Sequence, residues 1–275
     1  MASKRRGLGR LPRRPTVSVE LSARDRLLLS ALRKARVLRT PDLVPLIFPS
    51  LTVATRRLRR LHHGGYVALH CEDLHEPSRI LLDRRGYELL ATGPGDKTAE
   101  RVAPPLPPQV GEHGFLTRRF WSLLAHSCHQ SDALTLTRFL FEEEYGSTPQ
   151  DLAQARYRPD AVFQLGAGDQ SLGFALEIDR GTETPSYVAT KKIAVFATAR
   201  AGCLAIGGVK LQALAIAVPT ARRAAAISAA TPPDLRHLPV IVRPFTLTPD
   251  DLDLTTGWTR LTDDPVPMVL MDLFP

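Results

Sequence analysis

Apolar positions recur at helical spacing from Leu21 onward. In LSARDRLLLSALRKARVLRT, Leu28, Leu32 and Ala35 share one face behind Ser22, whose hydroxyl suits an N-cap. In TPDLVPLIFPS, Thr40 can cap and Pro41 fits a first helical position, so a short second helix starts there. The third, LTVATRRLRRLHHGG, carries an inward stripe of Ala54, Leu58 and Leu61 and stops at Gly64 and Gly65. YVALHCEDLHEPSRILLD then reads as two short strands around DLHEPS, before RRGYELLA begins another helix. Three helices followed by a hairpin predict a winged helix-turn-helix over residues 19–92.

The stretch ATGPGDKTAERVAPPLPPQVGEHG breaks this pattern. Its prolines, among them Pro104, Pro105, Pro107 and Pro108, favour an extended connection, and a linker is expected over 93–113. Beyond it, FLTRRFWSLLAHSCHQ is helical and ALTLTRFLFEEE begins as a strand. RPDAVFQLGAGDQSLGFALEIDRGTET reads as a hairpin, and TPSYVATKKIAVFATARA as a helix with Thr184 at its cap and Pro185 at its first position. LQALAIAVP is a buried strand, TARRAAAISAA a helix and HLPVIVRPF another strand. The order α, β, β, β, α, β, α, β predicts an α/β domain over 114–275, giving an α/β protein that is α+β overall. The tail from residue 247 is too irregular to assign.

Composition changes the picture through its distribution. The 275 residues carry a net charge of +8, but residues 1–65 hold 16 Lys and Arg against 3 Asp and Glu. The remainder holds 20 against 25, so a basic front precedes a mildly acidic body. Such asymmetry implies that the first part meets a polyanion. MASKRRGLGRLPRRP, with Arg5 and Arg6, lacks apolar periodicity, and a basic flexible arm is expected over 1–18. No apolar run approaches the roughly 18 residues of a membrane span, and no apolar segment follows the basic start as in a secretory signal. A cytoplasmic protein is therefore expected. Cys71, Cys128 and Cys203 are far apart and lack CxxC spacing, which argues against a disulfide framework or a zinc site. His126 and His129 flank Cys128, but a helix cannot turn all three to one metal.

On the third helix the outward arc holds Thr52, Arg56, Arg59, Arg60 and His63, with Arg57 beside it. Helical guanidiniums suit phosphates and guanine edges in the major groove of double-stranded DNA. An ordinary solvated face, or a winged helix that dimerises, is the alternative. His62 and His63 read as helix-end residues rather than metal ligands.

The hairpin holds the second candidate chemistry. A tight turn between Gly168 and Asp169 sets Asp160 opposite Glu177 and Arg158 opposite Asp179, all on one face. Facing carboxylates repel unless a cation lies between them. Mg²⁺ (or Mn²⁺) on Asp160 and Glu177 would fit, since Mg²⁺ takes one or two carboxylates together with water and substrate phosphate. A plain Arg158–Asp179 ion pair with solvated Asp160 and Glu177 is the competing reading. In the helix that follows, Val188, Val195, Phe196 and Ala199 define the inward stripe, with Lys192 near its centre and Lys191 at its edge.

RPDAVFQL, FALEIDRGTET and the downstream KK, placed after a winged helix carrying ATRRLRRL and a Pro-rich linker, resemble the replication-relaxation family of bacterial plasmid and mobile-element proteins. The resemblance implies a second domain similar to the PD-(D/E)XK nucleases. Pro159 and Asp160 match the first element of that signature and Glu177 the second, while Asp179 stands where the signature has lysine. The family pattern points to Lys191 as a substitute, and periodicity to Lys192. The resemblance implies DNA nicking with Asp160 and Glu177 on the metal, Asp179 assisting, and Lys191 or Lys192 on the phosphate. The alternative it leaves is a non-catalytic DNA-binding regulator that uses a degenerate nuclease fold as a docking platform. Double-stranded DNA, a second copy of the chain, and replication or mobilisation proteins are the partners expected.

Overall fold

The computed structural model describes residues 9–12, 18–71, 76–91, 110–145, 157–245, 253–262 and 266–274. The chain divides into two compact units, Met1–Ser122 and Leu123–Pro275. It contains both helices and a mixed multi-strand sheet, as the α/β expectation requires.

In the first unit, β1 (Gly9–Arg10) is followed by α1 (Ala23–Ala35), β2 (Val37–Arg39), α2 (Leu43–Leu46) and α3 (Leu51–His63). The hairpin β3 (Val67–Cys71) and β4 (Arg79–Leu82) comes next, then α4 (Arg84–Leu90). Helix α1 starts where sequence places it: Ser22 and Asp25 form a reciprocal capping box, each satisfying the other's backbone amide. Leu28, Leu29, Leu32 and Ala35 are buried on one face. Ser50, a cap the sequence pattern leaves unmarked, accepts from Val53 N–H to open α3, which buries Ala54, Leu58, Leu61 and His62.

The four strands pair antiparallel in the order β1-β3-β4-β2. The pairing of β1 with β3 corrects the expectation of a flexible arm over 1–18 where residues 9–12 are concerned. Leu11 N–H donates to Leu69 O, Leu11 O meets His62 Nε2 at 3.0 Å, and Arg10 pairs with buried Asp83. The sheet edge offered by β3 supplies backbone partners that composition alone does not reveal. Arg5 and Arg6 lie outside the described residues.

The next helix, α5 (Glu112–Gln130), contains the point of division, so its residues up to Ser122 pack within the first unit. Arg118 donates to Ala35 O at 2.9 Å and Arg119 to Pro41 O at 2.6 Å, while the Ser122 hydroxyl donates to Asp42 O. Most of the Pro-rich stretch, residues 92–109, lies outside the described residues.

The second unit continues with β5 (Thr135–Phe141), α6 (Glu142–Tyr145), β6 (Ala161–Ala167) and β7 (Gln170–Ile178). Next come α7 (Pro185–Tyr187), a π-helical turn at Val188–Lys192 and α8 (Ile193–Ala201). A small hairpin, β8 (Ala205–Ile206) with β9 (Val209–Lys210), leads to β10 (Ala213–Val218), α9 (Ala221–Ala230) and β11 (Val240–Pro244). Strands β12 (Trp258–Arg260) and β13 (Val266–Met268) form in the tail left unassigned from sequence.

The seven-stranded sheet runs β13-β12-β11-β10-β7-β6-β5. Its centre, β7-β10-β11, is parallel, and its flanks are antiparallel. Strand β10 is buried at every position, as expected of a parallel strand covered on both faces. Gly173 lets the β9 segment cross β7: a Cβ there would lie 2.1 Å from Lys210 O.

Candidate active site and basic helix

The β6–β7 hairpin has the register that the tight-turn reading demands. Ala167 pairs with Gln170 and Ala161 with Leu176, and Gly168 takes the positive φ of the turn. Asp160 immediately precedes β6, with its N–H donating to Leu176 O. Its carboxylate accepts from Ile178 N–H at 2.6 Å, continuing the ladder through a side-chain oxygen. Glu177 lies near the end of β7 and is buried. That is the carboxyl end of the parallel strands, where open α/β sheets hold their ligands.

Lys192 completes the group. Its ammonium lies 2.9 Å from Glu177 Oε2 and 3.4 Å from Glu183 Oε2. Lys191 is exposed, and Lys192 is the one of the two candidates that lies beside Glu177. The reason is local. The π turn at Val188–Lys192 widens the helix by one residue and resets the face that follows. Val188, Ala189, Ile193 and Phe196 are buried, whereas Val195 and Ala199 of the expected stripe are only half-buried.

Charge within the cluster is unbalanced. Burial, followed by the neighbouring Asp160, pushes the Glu177 carboxyl up to about 7, and Lys192 holds it from rising further. Burial opposes the charge on Lys192, yet Glu177, Asp160 and Glu183 outweigh it and raise its pKa, so it stays protonated. Asp160, Glu177 and Glu183 thus bring three carboxyl groups to one ammonium. Asp160, Lys192 and Glu183 are partly exposed, so the cluster reaches solvent above buried Glu177.

Asp179 has a different assignment from the one expected. The guanidinium of Arg223 on α9 binds both its oxygens, Nε to Oδ2 at 2.5 Å and Nη2 to Oδ1 at 3.1 Å, and Gly181 N–H adds a further bond. Arg223 also donates to Glu183 O at 2.7 Å. Asp179 therefore anchors the loop that carries Glu183 and is not paired with Arg158, which is exposed. Opposition across the hairpin predicts Arg158 because it considers β6 alone; the parallel neighbour β10 leads into α9 and delivers Arg223.

Two tyrosines frame the site, and sequence reasoning missed both. Tyr145 donates to Pro159 O, the carbonyl just before Asp160. Tyr157 is buried with its ring edge-on to Phe196. A Tyr just before the RPD motif was the available signal. For Arg223 the signal was a cation in the first turn of a helix that follows a parallel strand.

The two carboxylates suit a hard divalent cation by donor chemistry. Among the described residues no three His, Cys, Asp or Glu side chains converge closely enough to enclose an ion. An ion here would take two protein ligands, with water or phosphate filling the rest, which is a usual arrangement for Mg²⁺.

On α3, Thr52, Arg56, Arg59 and Arg60 are exposed, as the outward arc requires. Arg57 is not part of that surface. It donates to both oxygens of buried Asp25, at 2.7 and 2.5 Å, and to Glu20 O at 2.7 Å. Burial alone raises the Asp25 pKa; Arg57 and Ser22 outweigh it, and the carboxyl lies below its ordinary value. His62 is buried between Val67 O and Leu11 O, with the half-buried His63 ring tilted beside it, so His62 is structural. No helix among the described residues is long and apolar enough to cross a membrane.

Residues 29–201 match the family model described as Replication-relaxation. No curated protein matches the chain, and no solved structure does. The match takes in α3, the Asp160–Glu177 hairpin and Lys192 and spans well over half of the sequence: the chain belongs to the replication-relaxation family.

Proposed function

We propose that this protein acts on DNA during replication of a plasmid or mobile element. In this reading the first unit is a winged helix-turn-helix that binds double-stranded DNA through Arg56, Arg59 and Arg60, and the second cleaves a phosphodiester. The observation that carries it is the approach of Lys192 to Glu177, at 2.9 Å, beside Asp160. This grouping resembles the acid, acid and lysine of a PD-(D/E)XK site, with Asp179 standing at the usual lysine position.

Asp160 and Glu177 are the residues that would hold Mg²⁺ or Mn²⁺. A divalent ion held there would polarise the phosphoryl group and lower the pKa of water. Lys192, kept protonated by its acidic neighbours, presents a fixed positive charge to the phosphate oxygens as charge builds in the transition state. Buried Glu177 lies beneath the partly exposed Asp160 and Lys192, which limits water around it. Asp179 and Arg223 hold the neighbouring loop.

The test is conversion of supercoiled plasmid to open circle by the full chain with Mg²⁺ or Mn²⁺, beside Asp160→Ala. Metal-dependent nicking that the variant loses supports the enzyme. Plasmid that stays supercoiled while the protein still shifts it in a gel supports the regulator instead.

A further inference from the structure

The hydroxyl of Tyr157 is buried and makes no hydrogen bond. Such groups are uncommon, because an unpaired buried hydroxyl costs free energy that phenylalanine would avoid. The ring cannot turn away easily. It is 5% exposed, lies edge-on to Phe196 at 6.3 Å between centroids, and belongs to the core cluster that includes Val188, Ile193 and Ile216. Glu177 is near enough for its charge to be the largest charged influence on the hydroxyl. Lys192 already draws Glu177 Oε2 to its own side.

We infer that Tyr157 is a positioning residue whose hydroxyl donates to Glu177 once that carboxylate turns to take up a divalent cation. This rests on the reading of Asp160 and Glu177 as metal ligands. A carboxylate bound to a metal is usually fixed by a hydrogen bond from outside the coordination sphere, and losing that bond typically weakens metal binding by about 10- to 100-fold. In the structure as described the same hydroxyl has no partner. Tyr157 is therefore unfavourable for the fold in the absence of metal and favourable when metal is bound, and this sign reversal separates positioning from ordinary packing.

The experiment is thermal unfolding of the full-length wild type and Tyr157→Phe at pH 8, without metal and across a Mn²⁺ titration. Ligand-linked stabilisation reports affinity with no need for nuclease activity. Tyr157→Phe is expected to melt at or above the wild-type temperature without Mn²⁺ and to require at least about tenfold more Mn²⁺ for the same upward shift. Tyr145→Phe fixes the sign of the stability readout, since its hydroxyl does have a partner in Pro159 O and its loss should lower the metal-free melting temperature. Equal Mn²⁺ dependence in wild type and Tyr157→Phe overturns the inference while leaving the metal site in place. A lowered metal-free melting temperature for Tyr157→Phe also overturns it, assigning the hydroxyl to the fold. A wild type that Mn²⁺ does not stabilise overturns both the inference and the metal reading beneath it.

Discussion

Replacing Lys192 by methionine keeps the length of the stem and removes the ammonium beside Glu177. The Glu177 side chain is 5% exposed and that of Lys192 24%. Stripping one partner from a buried pair costs about 3–5 kcal/mol, and the partial exposure of Lys192 puts the expected loss below that range, about 2–3 kcal/mol at pH 8.5. At roughly 2–4 °C per kcal/mol, the melting temperature should fall by about 4–12 °C. The loss must depend on pH. The Glu177 carboxyl is already raised from 4.5 to about 7, so the folded state binds the proton more tightly than the unfolded chain. Stability from this group therefore declines as pH rises from 4.5 to 7. Without Lys192 the folded pKa rises further and the decline continues above 7. At pH 5.5 both proteins hold Glu177 protonated, and the difference shrinks to the packing change. Differential scanning fluorimetry at pH 5.5, 7 and 8.5 reads this out. Equal losses at pH 5.5 and 8.5, or none at either, would refute a charge pairing between these groups.

Other substitutions probe separate parts of the account. Lys191→Met, at an exposed position, should leave stability within about 0.5 kcal/mol, and a larger change in urea unfolding would contradict the choice of Lys192. Arg223→Ala leaves buried Asp179 without its cation, at about 3 kcal/mol, and should speed hydrogen exchange at Gly181 N–H; unchanged exchange there would argue against the anchoring role. Asp25→Ala should destabilise the first unit by about 3 kcal/mol near pH 7. The folded pKa of Asp25 is depressed, so its stabilisation is present above 3.8 and disappears as acid protonates the folded carboxyl; a melting deficit that persists at low pH would refute this. Neutralising Arg56, Arg59 and Arg60 together should reduce the slope of log affinity for duplex DNA against log salt by about 3, and an unchanged slope would remove α3 from the DNA interface.

Local pattern was enough for many of these features. The capping box at Ser22, the stripe of α3 and the glycine turn at Gly168 each depend on residues a few positions apart, so periodicity and turn chemistry expose them. The hairpin register follows from that turn, which is why the opposition of Asp160 and Glu177 was legible. Long-range partners were not. Arg223 reaches Asp179 because β10 lies parallel to β7, a neighbour relation that no local spacing encodes. Arg57 resembles its three basic neighbours in sequence, and only the tertiary approach of Asp25 on α1 engages it. β1 and β13 are short edge strands, created by pairing more than by propensity. The π turn that decides between Lys191 and Lys192 is likewise invisible to a regular helical period.

The claim on which the enzymatic reading depends is that Asp160 and Glu177 together grip a divalent ion. Calorimetric titration of Mn²⁺ into the wild type, Asp160→Asn and Glu177→Gln at pH 8 tests it without reference to any substrate. One saturable site per chain in the wild type, lost in each single variant, is the predicted outcome. No saturable heat in the wild type, or the same binding in all three proteins, would contradict it.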